Sequence, residues 1–157
     1  MSELSIDDEP ITSSGALSIF HAAVDELDRR YGGADDAPHF SIEELEPPLG
    51  LFLVARMHAD PVGGVGLRSI GDRALHVAEV KRLWVRPDLR RAGVAAALMA
   101  EIENRARLAG YERLYLETGW AQPEAQALYP SLGWTPVDEY PPGAFNHHEA
   151  YLFSKSL

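Results

Sequence analysis

The amino-acid sequence predicts a single-domain α/β (α+β) fold: a mixed, mostly antiparallel central sheet flanked by helices. Three observations carry this. The chain of 157 residues suits one domain with its own core. Between residues 51 and 85, short apolar runs follow one another with only turns between them, which implies an antiparallel meander. From Val94 the apolar spacing switches to every three or four residues, and helix and strand then alternate to the C-terminus.

Residues 1–14 are polar and acidic and read as a flexible tail. Ser13 or Ser14 is placed to cap a helix. Its apolar residues Leu17, Phe20, Val24, Leu27 and Tyr31 form one stripe, and Gly32-Gly33 ends it. Residues 34–50 are acidic, contain three prolines and read as a loop with one helical turn at Ile42–Leu45. The run 51–55 is a strand bounded by Gly50 and by the turn signal Asp60-Pro61. Residues 62–67 form a second strand, Gly71-Asp72 a turn, and 75–85 a third strand stopped by Pro87.

In the next helix Val94, Leu98, Ile102, Ala106 and Ala109 share a face, Glu101–Arg105 and Glu103–Arg107 are supporting pairs, and Gly110 is the stop. A strand at 114–118 follows, then a helix from Pro123 to about Leu132, ended near Gly133. Residues 151–153 form the last strand. No internal repeat interrupts this order, so residues 1–157 form one domain.

Composition narrows the function. The chain has no cysteine, which excludes a disulfide framework, a thiolate metal site and a cysteinyl intermediate. No apolar run reaches the roughly 18 residues of a membrane span. The acidic N-terminus is unlike a signal peptide, so a cytoplasmic protein is expected. The net charge of −10 argues against general nucleic-acid binding. Residues 1–50 carry 12 acids and 2 bases, whereas residues 51–157 carry 12 of each. Within the balanced part, Lys81, Arg82, Arg86, Arg90 and Arg91 have only Asp88 nearby. Such a cluster is either a solvated surface or the site of a specific anion.

The stretch from Val85 to Ala95 bears on that choice. A strand stops at Pro87, a basic turn with Gly93 follows, and a helix begins with small residues. The first amides of a helix lack internal partners and sit at the positive end of its dipole. Gly93 permits close backbone approach, and Ala95 and Ala96 keep the first turn free of bulk. The stretch has neither the Gly-Lys-Ser/Thr of a Walker loop nor three fingerprint glycines. A second stretch, from Glu117 to Trp134, places Ala125, Leu128, Tyr129 and Leu132 on one helix face.

Together these stretches resemble the GNAT N-acetyltransferase superfamily, as a small single-domain bacterial-type member. The family pattern Gln/Arg-x-x-Gly-x-Gly/Ala is met by Arg90, Gly93 and Ala95. The strand that commonly precedes it is met by Glu79, Lys81, Arg82, Leu83, Trp84 and Val85. The pattern Asn-x-x-Ala-x-x-Leu-Tyr-x-x-x-Gly-aromatic is met by Ala125, Leu128, Tyr129, Gly133 and Trp134. The likeness spans roughly residues 51–157. Gln122 stands at the asparagine position, and Pro130 follows Tyr129 inside the helix, where a proline removes one hydrogen bond.

The resemblance implies the GNAT fold with splayed central strands and acetyl-CoA as co-substrate. The pyrophosphate would lie on the amides of Arg91, Ala92, Gly93, Val94, Ala95 and Ala96, beside Arg90. The pantetheine arm would pair along Leu83, Trp84 and Val85, in the gap before strand 114–118, with Gln122 and Tyr129 beside it. The implied activity is N-acetylation of a primary amine, on a small molecule or amino acid, by direct attack in a ternary complex. Tyr129 would protonate the departing thiolate. Glu79 is the first candidate for the base, with Glu117, His147 and His148 in reserve; the alternative for Glu79 is a salt bridge to Lys81 or an arginine.

The acceptor would enter near Tyr31, His39, Phe40, Tyr140, Phe145, His147 and His148, steered by the acidic first third. The adjacent His147-His148 pair reads as exposed histidines and not as a metal site, because neighbours in an extended segment point opposite ways. A protein or peptide acceptor, another acyl-CoA donor, a non-catalytic acyl-CoA sensor and a homodimer are left open.

Overall fold

The computed structural model describes residues 3–32, 40–145 and 149–157. These form, in order, β1 (Leu4–Asp8), α1 (Ser14–Arg30), β2 (Leu51–Met57), β3 (Asp60–Ser69), β4 (Val77–Val85), α2 (Val94–Leu108), β5 (Arg113–Thr118), α3 (Pro123–Ser131), β6 (Thr135–Val137) and β7 (Tyr151–Ser156). Short 3-10 turns lie at Ile42–Leu45, Arg73–Leu75 and Pro87–Leu89. The described strands make one sheet in the order β1-β2-β3-β4-β5-β7-β6. Every neighbouring pair is antiparallel except β4–β5, which is parallel. The mixed, mostly antiparallel architecture expected from the sequence is the one present. No helix among the described residues is long and apolar enough to cross a membrane.

Four local expectations are corrected. First, the tail is not loose: Leu4–Asp8 pairs along its length with β2. Its acids are matched from outside the strand. Arg105 of α2 donates to Asp8 at 2.9 Å, and Arg56 of β2 donates to Glu9 at 2.9 and 3.1 Å. Second, the buried face of α1 is Gly15, Ala16, Ile19 and Ala23. Leu17 and Val24 are only half-buried. Small residues face inward because the helix comes close to the sheet: a Cβ on Gly64 would meet Ile19 and Phe52 atoms at 2.9 Å. Third, the turn after β2 is His58-Ala59, both with positive φ, and Asp60-Pro61 opens β3. Fourth, Arg73–Leu75 is a 3-10 turn, so β4 begins at Val77 and not at Leu75, and β6 is an edge strand the apolar pattern did not reveal.

Two layers of core hold the helices. On one face α2 packs Leu98, Met99, Ile102 and Ala106 against Val80, Leu114, Leu116 and Phe153. On the other, α1 sets Ala16 and Ile19 against Phe52, Val54 and Leu45. Gly110 ends α2 with φ 93, and the Glu101–Arg105 and Glu103–Arg107 pairs are formed.

The ion pairs of Asp8 and Glu9, at the end of β1 and just after it, carry a pH signature. Arg105's hydrogen bond holds the Asp8 carboxyl below its ordinary value, and Arg56's does the same for Glu9. A carboxyl depressed on folding contributes stability above its unfolded pKa and loses it as pH falls through the folded one. The melting temperature should therefore hold from neutrality to about pH 5 and drop between about pH 4.5 and pH 3. Glu9→Gln should lower it at neutral pH and flatten the acid limb. Scanning calorimetry across that window checks this, and a profile without an acid limb excludes any contribution from these pairs.

Candidate active site

β4 and β5 pair only at Val77, Ala78 and Glu79, opposite Arg113, Leu114 and Tyr115. Beyond Glu79 they part. The cause lies in β4, whose register against β3 shifts between Gly64 and Gly66 and where Arg82 adopts φ 57. A bulge of this kind bends a strand away from its neighbour. Backbone polar groups alternate between the two edges of a strand. Arg86 donates to Val62 of β3 at 2.8 Å, so Val85 turns its own polar groups to the open edge.

The gap leads to the start of α2. Gly93 is its N-cap, with φ 88, and no side chain caps the helix. A Cβ on Gly93 would meet nothing within 4 Å, so the space over the first turn is open. The amides of Val94, Ala95 and Ala96 have no partner inside the helix. Arg91, exposed and at φ 66, makes no hydrogen bond or ion pair among the described residues. Asp88 is taken up by Arg86 at 2.7 Å.

Arg90 sits differently. Its Nε donates to the Val85 carbonyl at 2.8 Å and its guanidinium pairs with Glu26 of α1 at 2.6 Å. Glu26 also accepts from the Trp84 indole at 3.2 Å and pairs with Arg30 at 3.1 Å. Burial pushes the Glu26 carboxyl up, but Arg90, Trp84 and Arg30 outweigh this and hold it below its ordinary value. Glu26 thus clamps α1 onto the motif, a role the sequence did not signal.

On the α2 side of the sheet, Tyr129 is buried against Trp134 and Phe153, with ring centroids at 6.1 and 5.9 Å. Its hydroxyl makes no hydrogen bond among the described residues, and burial pushes the phenol well above its ordinary value. Pro130 lies one residue from the end of α3 and does not break the helix. Gln122 is the N-cap residue of α3 but its side chain turns away from the helix: its Oε1 accepts from the Gly119 amide and the Tyr31 hydroxyl, each at 3.2 Å. Tyr31 therefore lies against the β5–α3 loop, where a Cβ on Gly119 would overlap its hydroxyl. Two buried atoms nearby, Thr118 Oγ1 at the parted end of β5 and Trp134 Nε1, have no hydrogen-bond partner among the described residues.

The α1 side carries the ionisable cluster. Glu79 is 3% exposed. One oxygen accepts from Arg68 at 2.8 Å, and the other accepts from the Tyr140 hydroxyl at 2.6 Å with Lys81 at 3.6 Å. The salt bridge foreseen as the alternative for Glu79 is formed, to both Arg68 and Lys81. Burial, together with the charge of Glu79, raises the Tyr140 phenol. Arg68 was not foreseen, although it faces Glu79 across the β3–β4 ladder. Glu117 lies on the same face, 3.6 Å from Lys81, and Phe40 stacks under Lys81 at 5.1 Å. An open cavity of about 590 Å³ borders the cluster at Arg68 and Tyr140, with Glu43, Glu44 and Glu46 on its wall and Phe145 at its rim. His39, His147 and His148 lie outside the described residues. Among the described residues no group of three potential ligands is placed to hold a metal ion.

The family model described as the acetyltransferase (GNAT) family matches residues 18–134. An IAA acetyltransferase of Azospirillum brasilense is 35% identical over 133 residues, covering 83% of this chain and 84% of that protein. A solved acetyltransferase from Streptococcus agalactiae superposes with a TM-score of 0.80 at 17% identity, over 100% of both chains. A GNAT family acetyltransferase from Elizabethkingia anophelis, solved with acetyl-CoA bound, superposes with a TM-score of 0.69 at 16% identity, also over 100% of both.

Proposed function

Because the chain belongs to the GNAT acetyltransferase family, an acyltransferase family acting with acetyl-CoA, we propose that it acetylates the primary amine of a small molecule by direct attack in a ternary complex. The observation that carries this is the open, uncapped start of α2 at the end of a parted strand pair. The residues there fit the coenzyme. Free amides at Val94, Ala95 and Ala96 suit the pyrophosphate, with Arg91 as the nearby cation. The open edge along Leu83 and Val85 suits the arm as an added strand, with Trp84 held behind it by Glu26.

Arg90 is bound to the Val85 carbonyl, so it serves the site by fixing that edge or by releasing it to the arm. Gln122 presents its amide nitrogen, since Oε1 is engaged. Tyr129 donates to the sulfur as it leaves. The raised phenol keeps that donor protonated throughout the neutral range. The glutamates of the cavity wall favour an acceptor that arrives as an ammonium ion.

Isothermal titration with acetyl-CoA, followed by CoA release across a panel of primary amines, tests the reading. Uptake with turnover of at least one small amine is expected. Uptake without turnover on any amine would make the protein an acyl-CoA sensor. No uptake would end the assignment.

A further inference from the structure

We propose that Glu117, and not Glu79, is the base that relieves the acceptor of its proton, with Lys81 as its positioning residue; this rests on the acetyltransferase reading above. The two carboxylates share a face of the sheet but not a state. Glu79 is held on both oxygens, by Arg68 at 2.8 Å and Tyr140 at 2.6 Å. To accept a proton it would have to surrender a charge-assisted bond in a site that is 3% exposed, and such bonds are among the strongest a carboxylate makes. Among the described residues Glu117 has one ion-pair partner, Lys81 at 3.6 Å, and its side chain keeps 20% exposure.

Position separates them further. The last rung between β4 and β5 is Glu79↔Tyr115. Lys81 and Glu117 are each two residues beyond that rung, on the same face, where the strands open. They are the first ionisable pair across the gap. Leu116 and Thr118 point to the other face, toward the layer that contains Tyr129. A thioester carbonyl lodged between the strands would thus have Glu117 on one side and Tyr129 on the other. The titratable and charged groups around Glu117 are Lys81 and Glu79 of β4, Tyr115 on its own strand and Tyr140 from the segment after β6, while β7 contributes the apolar Leu152.

The step balances without a co-reactant. The ammonium gives one proton to the Glu117 carboxylate. The freed nitrogen attacks the thioester carbon, the C–N bond forms and the C–S bond breaks. The sulfur takes the Tyr129 proton, and Tyr129 regains the second nitrogen proton. Glu117 then returns its proton to solvent.

The test compares wild type, Glu117→Gln, Glu117→Asp and Glu79→Gln on ethanolamine, putrescine and phenethylamine, using whichever wild type acetylates fastest. Glu117→Gln should bind acetyl-CoA like wild type and lose about 100-fold in kcat near pH 7, the low end of what a general base supplies. The deficit should shrink as pH rises toward the amine's own pKa, because neutral amine then needs no base. Glu117→Asp should recover part of the rate. Glu79→Gln should lower the melting temperature and leave the slope of the pH profile unchanged. A Glu117→Gln protein with wild-type kcat, or with a deficit constant across pH, overturns the proposal. So does a wild-type rate in Glu117→Asp combined with a lost pH slope in Glu79→Gln. If wild type takes up no acetyl-CoA, the acetyltransferase reading fails and this one with it.

Discussion

Ala96→Asp is expected to weaken acetyl-CoA binding on the order of 100-fold, through like-charge repulsion of roughly 1–4 kcal/mol per close pair, while leaving the protein as stable as before or slightly more so. The two signs have one cause. Ala96 is the third residue of α2, whose first turn contains no acidic side chain and whose N-cap Gly93 supplies no side-chain acceptor. A carboxylate there answers the positive end of the helix dipole, a gain of about 0.3–1 kcal/mol. It also occupies with negative charge the space a pyrophosphate would fill. Ala96 is half-buried, so the longer side chain has room to turn outward. Calorimetric titration gives the binding loss and a thermal melt gives the stability. A parallel fall in both would mean that α2 had been damaged and its anion site left untested, and Ala96→Ser then serves as the neutral comparison. Unchanged binding in a stable Ala96→Asp protein would remove the start of α2 from coenzyme recognition.

How far the sequence could be read differs from element to element, and the reasons are physical. α2 was legible because Val94, Leu98, Ile102 and Ala106 are buried at helical spacing and glycines mark both ends. The meander was legible because its strands are neighbours in the chain as well as in the sheet. β1 and β6 were not legible. Each is a short edge strand with few apolar residues, Leu4 and Ile6 in β1 and Val137 in β6, and its partner lies far along the chain or beyond a long connection. The helix α1 was found, but its buried face was misjudged, because Gly15, Ala16 and Ala23 count little in an apolar pattern and are what a close helix–sheet contact needs.

In the site, the motif positions of Gly93 and Tyr129 could be read from spacing, whereas partners could not. Glu79 was visible as a residue, but its fate depended on Tyr140, 61 positions later, and on Arg68. Only Arg68 left a trace, as the residue opposite Glu79 once the β3–β4 hairpin is placed in register. Glu26 left none, since a glutamate on a helix gives no sign that it will reach Trp84 and Arg90.

Tyr129→Phe should cost about 10²-fold or more in turnover, as the loss of a general acid does, and should leave acetyl-CoA affinity and stability nearly unchanged. Stability is the informative part. A buried tyrosine usually satisfies its hydroxyl, and removing a bonded hydroxyl leaves an orphaned partner behind, at about 1–3 kcal/mol. Here the hydroxyl is bonded to nothing among the described residues, while the ring carries the packing against Trp134 and Phe153. Phenylalanine keeps that ring and its contacts. The melting temperature should therefore stay level, because the substitution leaves no orphaned partner behind. A fall in turnover beside an unchanged melt is what a hydroxyl that serves the chemistry and not the packing would show. A lowered melt would point to a structural partner for Tyr129, and unchanged turnover would remove it from the chemistry. Thr118→Val makes the contrasting comparison, since Thr118 Oγ1 is buried and unpartnered among the described residues and its removal should raise the melt without the loss of turnover expected for Tyr129→Phe.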